Sequence, residues 1–156
     1  MNKNRIKAMV ICGFPGIGKS TCANNKCNMD DAESSAFSHI FDPDHPDVRE
    51  KNPAFPQNYI DHIKTMAGEF GYDFVLVSSH KEVRKALRDN GIPYIVVVPK
   101  KELKDEYLKR YIKRGSPQPF VDLLYHKWNE FLNEIETESA PVVHLEAGEF
   151  LSDVLP

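Results

Sequence analysis

Short continuous apolar runs alternate along the chain with longer stretches whose apolar residues recur at helical spacing. Ile6 to Cys12, Phe74 to Ser78, Ile92 to Val98 and Val142 to Leu145 read as buried strands. Tyr59, Ile63, Met66, Ala67 and Phe70 form a helical stripe that opens after Asn52-Pro53-Ala54-Phe55-Pro56-Gln57-Asn58 and stops at Gly71. Ser79-His80-Lys81-Glu82 reads as a capping box for a helix through Val83, Ala86 and Leu87 to Asn90-Gly91. A helix from about Lys101 to Arg114 ends at Gly115, and Ser116-Pro117-Gln118-Pro119 is a short loop. Phe120, Leu124, Trp128, Phe131 and Ile135 stripe a further helix to about Glu136, and a last short helix follows Glu149. From Asn28 to Asn52 the chain is polar and irregular, with Asp42-Pro43-Asp44-His45-Pro46 as loop. Strands that alternate with helices and are apolar throughout predict an α/β fold of three layers. Its sheet is mostly parallel, about five-stranded, with helices on both faces and a short lid. Residues 1–156 form one domain in this reading. The loops after Cys12, Ser78 and Val98 then share one cleft at the carboxyl ends of the strands.

The first of those loops carries the sharpest chemistry. Gly13-Phe14-Pro15-Gly16-Ile17-Gly18-Lys19-Ser20-Thr21 satisfies G-x-x-x-x-G-K-[ST] between a strand and a first helical turn. Glycines let successive backbone N–H groups turn inward as an anion nest, and a helix N-terminus adds its positive end. Gly13, Gly16, Ile17, Gly18, Lys19, Ser20 and Thr21 are therefore the expected nucleotide-binding residues. Lys19 is placed to reach the β- and γ-phosphates, and the Ser20 hydroxyl to ligate Mg²⁺. The pattern predicts a nucleoside triphosphate and Mg²⁺ and leaves the fate of the γ-phosphate open.

Composition narrows the partners. The chain has 156 residues, a net charge of −3 and 41% hydrophobic residues. That balance gives no global basic footprint and argues against extended nucleic-acid binding. No apolar run reaches membrane-spanning length. Met1-Asn2-Lys3-Asn4-Arg5 shows no signal-type apolar region, so a cytoplasmic location is expected. Cys12, Cys22 and Cys27 form no C-x-x-C pair and read as free thiols, and a site using Cys22, Cys27, His39 or His45 fits no zinc spacing.

The rest of the site must come from elsewhere in the chain. Asp31-x-Glu33 follows the first helix, where a second strand would end beside the glycine loop, and Mg²⁺ chemistry wants a carboxylate there. A solvated acidic turn explains the same residues. No acid follows the strand Phe74 to Val77, which runs instead into Ser78-Ser79-His80. Ser79 reads as a helix cap, and His80 either touches substrate or sits exposed in the first turn. At ~100° per residue, Leu103, Tyr107, Arg110 and Arg114 fall on one stripe, so both arginines face protein or cleft. Salt bridges to Asp105 and Glu106 are the alternative. Lys100, Lys101, Lys104, Lys109 and Lys113 read as solvated. Arg49, in a candidate acceptor flap, and Arg84, one turn into the helix after the third strand, are each either substrate contacts or structural.

Several segments together resemble a known group. Asp31-Ala32-Glu33-Ser34-Ser35-Ala36-Phe37, Asn52 to Ile60, Val77-Ser78-Ser79-His80-Lys81-Glu82-Val83-Arg84 and Arg110-Tyr111-Ile112-Lys113-Arg114-Gly115 look like phage-encoded nucleoside monophosphate kinase-like proteins of the P-loop kinase group. The group includes shikimate and gluconate kinases. The resemblance implies a P-loop NTPase fold, location in the host cytoplasm, and transfer of a phosphoryl group from ATP to a small nucleotide acceptor. By likeness to the D-x-D pair of shikimate kinases, Asp31 would support Mg²⁺, and Glu33, Ser34 or Ser35 would touch the acceptor. By likeness to kinase lids, Arg110 and Arg114 would clamp the γ-phosphate, with Gly115-Ser116-Pro117 as hinge. Two other functions fit the same residues. One is a kinase of a hydroxyl acceptor, either a small metabolite or a polynucleotide 5′-end, with Asp31 or Glu33 as base. The other is an NTP-binding regulatory module that barely turns over.

Overall fold

The computed structural model describes residues 9–25, 29–32, 34–40, 43–44, 50–70 and 72–155. Five parallel strands form the central sheet: β1 (Met9–Gly13), β2 (Met29–Asp31), β5 (Phe74–Ser78), β6 (Tyr94–Pro99) and β7 (Val142–Leu145). Their spatial order is β2-β5-β1-β6-β7. β1 therefore lies in the middle, with Cys12 registered against Val77 of β5 and Val96 of β6. Val10, Ile11, Cys12, Val75, Leu76, Val77 and Val96 have no exposed surface, which is why these runs show no alternation. Each such aliphatic side chain contributes about 1.5–3 kcal/mol of burial free energy.

Among the described residues seven helices complete the layers: α1 (Lys19–Asn25), α2 (Ser35–Ser38), α3 (Gln57–Lys64), α4 (Lys81–Asp89), α5 (Lys104–Lys113), α6 (Gln118–Glu136) and α7 (Leu151–Val154). A π-helical turn, Thr65–Glu69, extends α3, and a 3₁₀ turn, Lys101–Leu103, precedes α5. The crossover through α1 runs towards the β2 edge, whereas those into β5, β6 and β7 run the other way. Right-handed crossovers then put α1 on one face of the sheet and the helices of the later crossovers on the other. The contacts agree: α1 packs on α7, α3 on α4 and α5 on α6. This is the α/β three-layer architecture that the strand and helix pattern predicts. No described helix is long and apolar enough to cross a membrane.

Four local expectations change. The segment taken as irregular holds β2, α2 and a two-stranded antiparallel pair, β3 (His39–Ile40) with β4 (Glu50–Lys51). None of these is long enough to show a period. The helix expected from about Lys101 begins as the 3₁₀ turn, where the Lys101 carbonyl accepts the indole N–H of Trp128 at 2.9 Å. The helix expected from Phe120 starts earlier, at Gln118, with Pro119 in its first turn. The capping box at Ser79 does not form. The cap position falls on His80, whose carbonyl accepts the first helical bond from the Arg84 amide (3.0 Å) and whose side chain makes no capping bond.

Candidate functional site

The glycine loop runs from the end of β1 at Gly13 to the start of α1 at Lys19. Gly16 (φ +89°) and Gly18 (φ +92°) adopt the left-handed backbone that side chains disfavour. A Cβ at Gly16 would lie 2.8 Å from the Tyr111 ring, and one at Gly18 would lie 3.1 Å from the Phe150 ring. Three successive carbonyls of the loop are held from outside. Pro15 O accepts from the Tyr111 hydroxyl (2.7 Å), Gly16 O from Arg110 Nη1 (2.8 Å) and Ile17 O from the Leu151 amide (2.8 Å). In a planar trans peptide the next N–H points the opposite way. The amides of Gly16 and Gly18 are thereby turned towards the concave side, as an anion nest requires. The first helical bond of α1 is Cys22 N–H to Gly18 O (2.9 Å), so the amides of Lys19, Ser20 and Thr21 precede it. Ile17 itself is fully buried, so its part in the loop is backbone alone.

The loop floors a cleft of about 810 Å³. Lys19 Nζ curls onto it and donates to Gly13 O at 2.7 Å. Ser20 Oγ donates to Asp31 Oδ2 at 2.8 Å. Asp31 reaches this position because β2 pairs with β5 in the register Asp31 to Leu76. The strand end is then pinned by Ala32 N–H to Leu76 O (2.9 Å) and by the buried Tyr59 hydroxyl to Ala32 O (2.5 Å). Ser78, at the end of β5, also lines the cleft, and its buried Oγ has no hydrogen-bond partner among the described residues. These oxygens suit Mg²⁺, which takes one or two protein ligands and completes its shell with water and phosphate oxygens. Among the described residues no cluster of three or more His, Cys, Asp or Glu could cage a metal alone. Cys12 and Cys22 are buried, Cys27 lies outside the described residues, and burial pushes the Cys12 thiol far above its ordinary value.

Helices α5 and α6 build the opposite wall with Arg110, Lys113, Arg114 and Phe120, and Phe150 closes it beside α7. The two arginines differ. Arg110 is wedged between the rings of Tyr107 (4.2 Å) and Phe150 (4.0 Å) and paired with Glu106 at 3.0 Å. With Gly16 O and Glu149 O as further acceptors, its charge is engaged in bracing the loop. Arg114 is exposed, lies near the Tyr111 and Phe120 rings and donates to Ser116 Oγ at 2.8 Å. Among the described residues it has no carboxylate partner. The stripe argument thus places both on the cleft, and the Glu106 alternative also holds for Arg110. Lys113, read as solvated, is exposed and at the cleft wall as well.

The third wall is the loop after β5. Ser78, Ser79 and His80 line it, with Ser34 and Ala32 alongside. Desolvation, then the charges of Lys19 and Arg84, hold the His80 imidazole below its ordinary value of 6.5. Arg84 does not line the cleft. It is 4% exposed and turned into the protein, where Nε donates to Ser79 O (2.8 Å), Nη1 to Glu138 (2.6 Å) and Nη2 to Glu134. Glu33 and Arg49 lie outside the described residues, and of Ser35 only its place as the first residue of α2 is described. Trp128 is 1% exposed and packs edge-on against Phe14 at 5.4 Å, a core residue. Sequence reasoning missed Phe120 and Phe150, whose residue type announces no chemistry. Ser78 was findable as the last residue of a central strand. No family model matches the chain, and no curated protein matches it.

Proposed function

We propose that this chain is an ATP-dependent phosphotransferase acting on a small anionic acceptor, most simply a nucleoside or deoxynucleoside monophosphate. The observation that carries the reading is the Ser20–Asp31 hydrogen bond at the foot of the glycine loop. It joins a hydroxyl and a carboxylate where the loop motif expects the cation of ATP·Mg²⁺. Bound there, Mg²⁺ would neutralise charge on the β- and γ-phosphates. Gly16 and Gly18 offer amides to the phosphates, and Lys19 turns from Gly13 O to the transferring group. Arg114 and Lys113, from the far wall, stabilise charge on its equatorial oxygens. Arg110 keeps the loop in shape beneath them. A phosphate acceptor is already a nucleophile, so positioning and electrostatics suffice without a strong base. The resemblance to phage nucleoside monophosphate kinase-like proteins points the same way.

A second reading has an observation of its own. His80 lines the cleft next to Ser78 and Ser79, and its imidazole is held below its ordinary value, as suits a base for a hydroxyl acceptor. The test is ADP release from ATP·Mg²⁺ with each common nucleoside monophosphate, with sugars and with 5′-hydroxyl oligonucleotides. Release with monophosphates alone supports the first reading, and release with hydroxyl acceptors alone supports the second. Nucleotide binding abolished by Lys19→Ala, with no release for any acceptor, would make the chain a binding module. In an active protein Arg114→Ala lowers turnover about 100-fold.

A further inference from the structure

Arg84 and its partners are not needed by the reaction as described, yet among the described residues Arg84 is the buried charged side chain of a polar cluster that reaches the surface at Arg88 and Glu134. Glu138, just beyond α6, has a side chain 1% exposed. It accepts from Arg84 Nη1 (2.6 Å), Arg88 Nη1 (2.7 Å) and the Tyr94 hydroxyl (2.6 Å). Glu134 takes the other arm of Arg84. Two arginines face two glutamates, so the cluster is charge-balanced. A buried ion cluster is a poor way to gain stability, since apolar side chains of similar volume often do as well. What it does supply is fixed geometry, because a guanidinium is a rigid planar fork.

One arm of that fork leaves the cluster. Arg84 Nε donates to the carbonyl of Ser79, in the segment Ser78–His80 that forms the third wall of the cleft. Fixing this carbonyl fixes the Ser79–His80 peptide plane, and with it the course of the backbone from Ser79 into His80. We infer that Arg84 is a positioning residue, which sets the acceptor wall of the cleft by holding the Ser79 carbonyl from an anchor on the buried Glu138. The inference rests on the phosphotransferase reading for the meaning of that wall, but the geometry is tested without any acceptor.

The experiment is NMR of the Ser79 and His80 amides and the His80 ring in the full chain, alone and titrated with ATP·Mg²⁺. Three proteins are compared: wild type, Arg84→Lys and Glu134→Gln. Lysine keeps the charge but cannot hold the carbonyl and both glutamates at once, whereas Glu134→Gln removes the charge of the half-exposed partner and leaves the Glu138 anchor and the Nε contact. Wild type should give one sharp set of signals. Arg84→Lys should shift and broaden them while its affinity for ATP·Mg²⁺ stays within about threefold of wild type. Glu134→Gln, even where it lowers the melting temperature as much, should keep the wild-type signals. Unchanged signals in Arg84→Lys would overturn the inference. So would equal broadening in Glu134→Gln, which would mean general loosening. If Arg84→Lys does not fold, wild type still decides, because exchange-broadened Ser79 and His80 signals there contradict a fixed wall. Failure of wild type to bind ATP·Mg²⁺ would count against the phosphotransferase reading and leave this geometric result standing.

Discussion

Replacing Glu138 by glutamine keeps the shape of the anchor and removes its charge. Burial disfavours the Glu138 carboxylate, but the hydrogen bonds from Tyr94, Arg84 and Arg88 outweigh it and hold the group at about 2, against an ordinary 4.5. The same network pushes the Tyr94 hydroxyl up to about 12, chiefly through burial and then through Glu138. That lowering of Glu138 corresponds to on the order of 3 kcal/mol of stability at neutral pH. With the side chain 1% exposed, solvent screening takes little from it. Breaking a buried pair on one side costs a similar amount, about 3–5 kcal/mol. For a chain of this size the loss lowers the melting temperature by about 10 °C. The sign follows from proton uptake. The unfolded chain binds a proton on Glu138 at higher pH than the folded chain does. The stabilisation is therefore complete above the ordinary carboxyl range and shrinks as pH falls towards 2. Denaturant titration followed by Trp128 fluorescence, at neutral pH and near pH 3, measures both quantities. The difference between wild type and Glu138→Gln should fall by roughly half between the two conditions. A loss under about 1 kcal/mol at neutral pH, or an equal loss at both, would refute the reasoning.

Three further outcomes follow from the cleft. Gly16→Ala puts a Cβ 2.8 Å from Tyr111, whose hydroxyl is tied to Pro15 O, and adds the left-handed penalty of about 1–2 kcal/mol. Calorimetric titration with ATP·Mg²⁺ should show at least about tenfold weaker binding, and unchanged binding would contradict the loop account. By NMR, His80 should titrate below 6.5, and Lys19→Ala should raise it by removing a neighbouring positive charge. In the folded chain His80 then holds fewer protons than when unfolded, so its contribution favours folding as pH rises through that window. Asp31→Asn keeps an oxygen to accept from the Ser20 hydroxyl but removes the carboxylate charge, and should weaken the Mg²⁺ dependence of ATP binding while leaving metal-free nucleotide binding intact.

Much of this was legible because it is local or periodic. The runs at 74–78 and 94–99 are apolar because both faces of the sheet are covered, so length and continuity suffice to find them. The glycine loop is a spacing rule with a backbone cause. Asp31 was found from its position after the first helix, and Arg110 and Arg114 from a helical stripe. The rest depends on partners far away in the chain. Arg84 meets Glu134 and Glu138 across 50 and 54 residues, and nothing near Arg84 announces them. Arg110 lies on its predicted face, but only the fold brings Phe150 and Gly16 O to it and makes it a brace. Phe150 itself covers Gly18 from a short terminal turn with no period to read.

Phosphorus NMR of ATP·Mg²⁺ mixed with the protein and a nucleoside monophosphate follows the γ-phosphoryl group itself. The account predicts loss of the ATP γ signal with matching gain of ADP and of a new diphosphate on the acceptor, and no such change with Lys19→Ala. Inorganic phosphate as the sole product, or no change with any monophosphate, would contradict it.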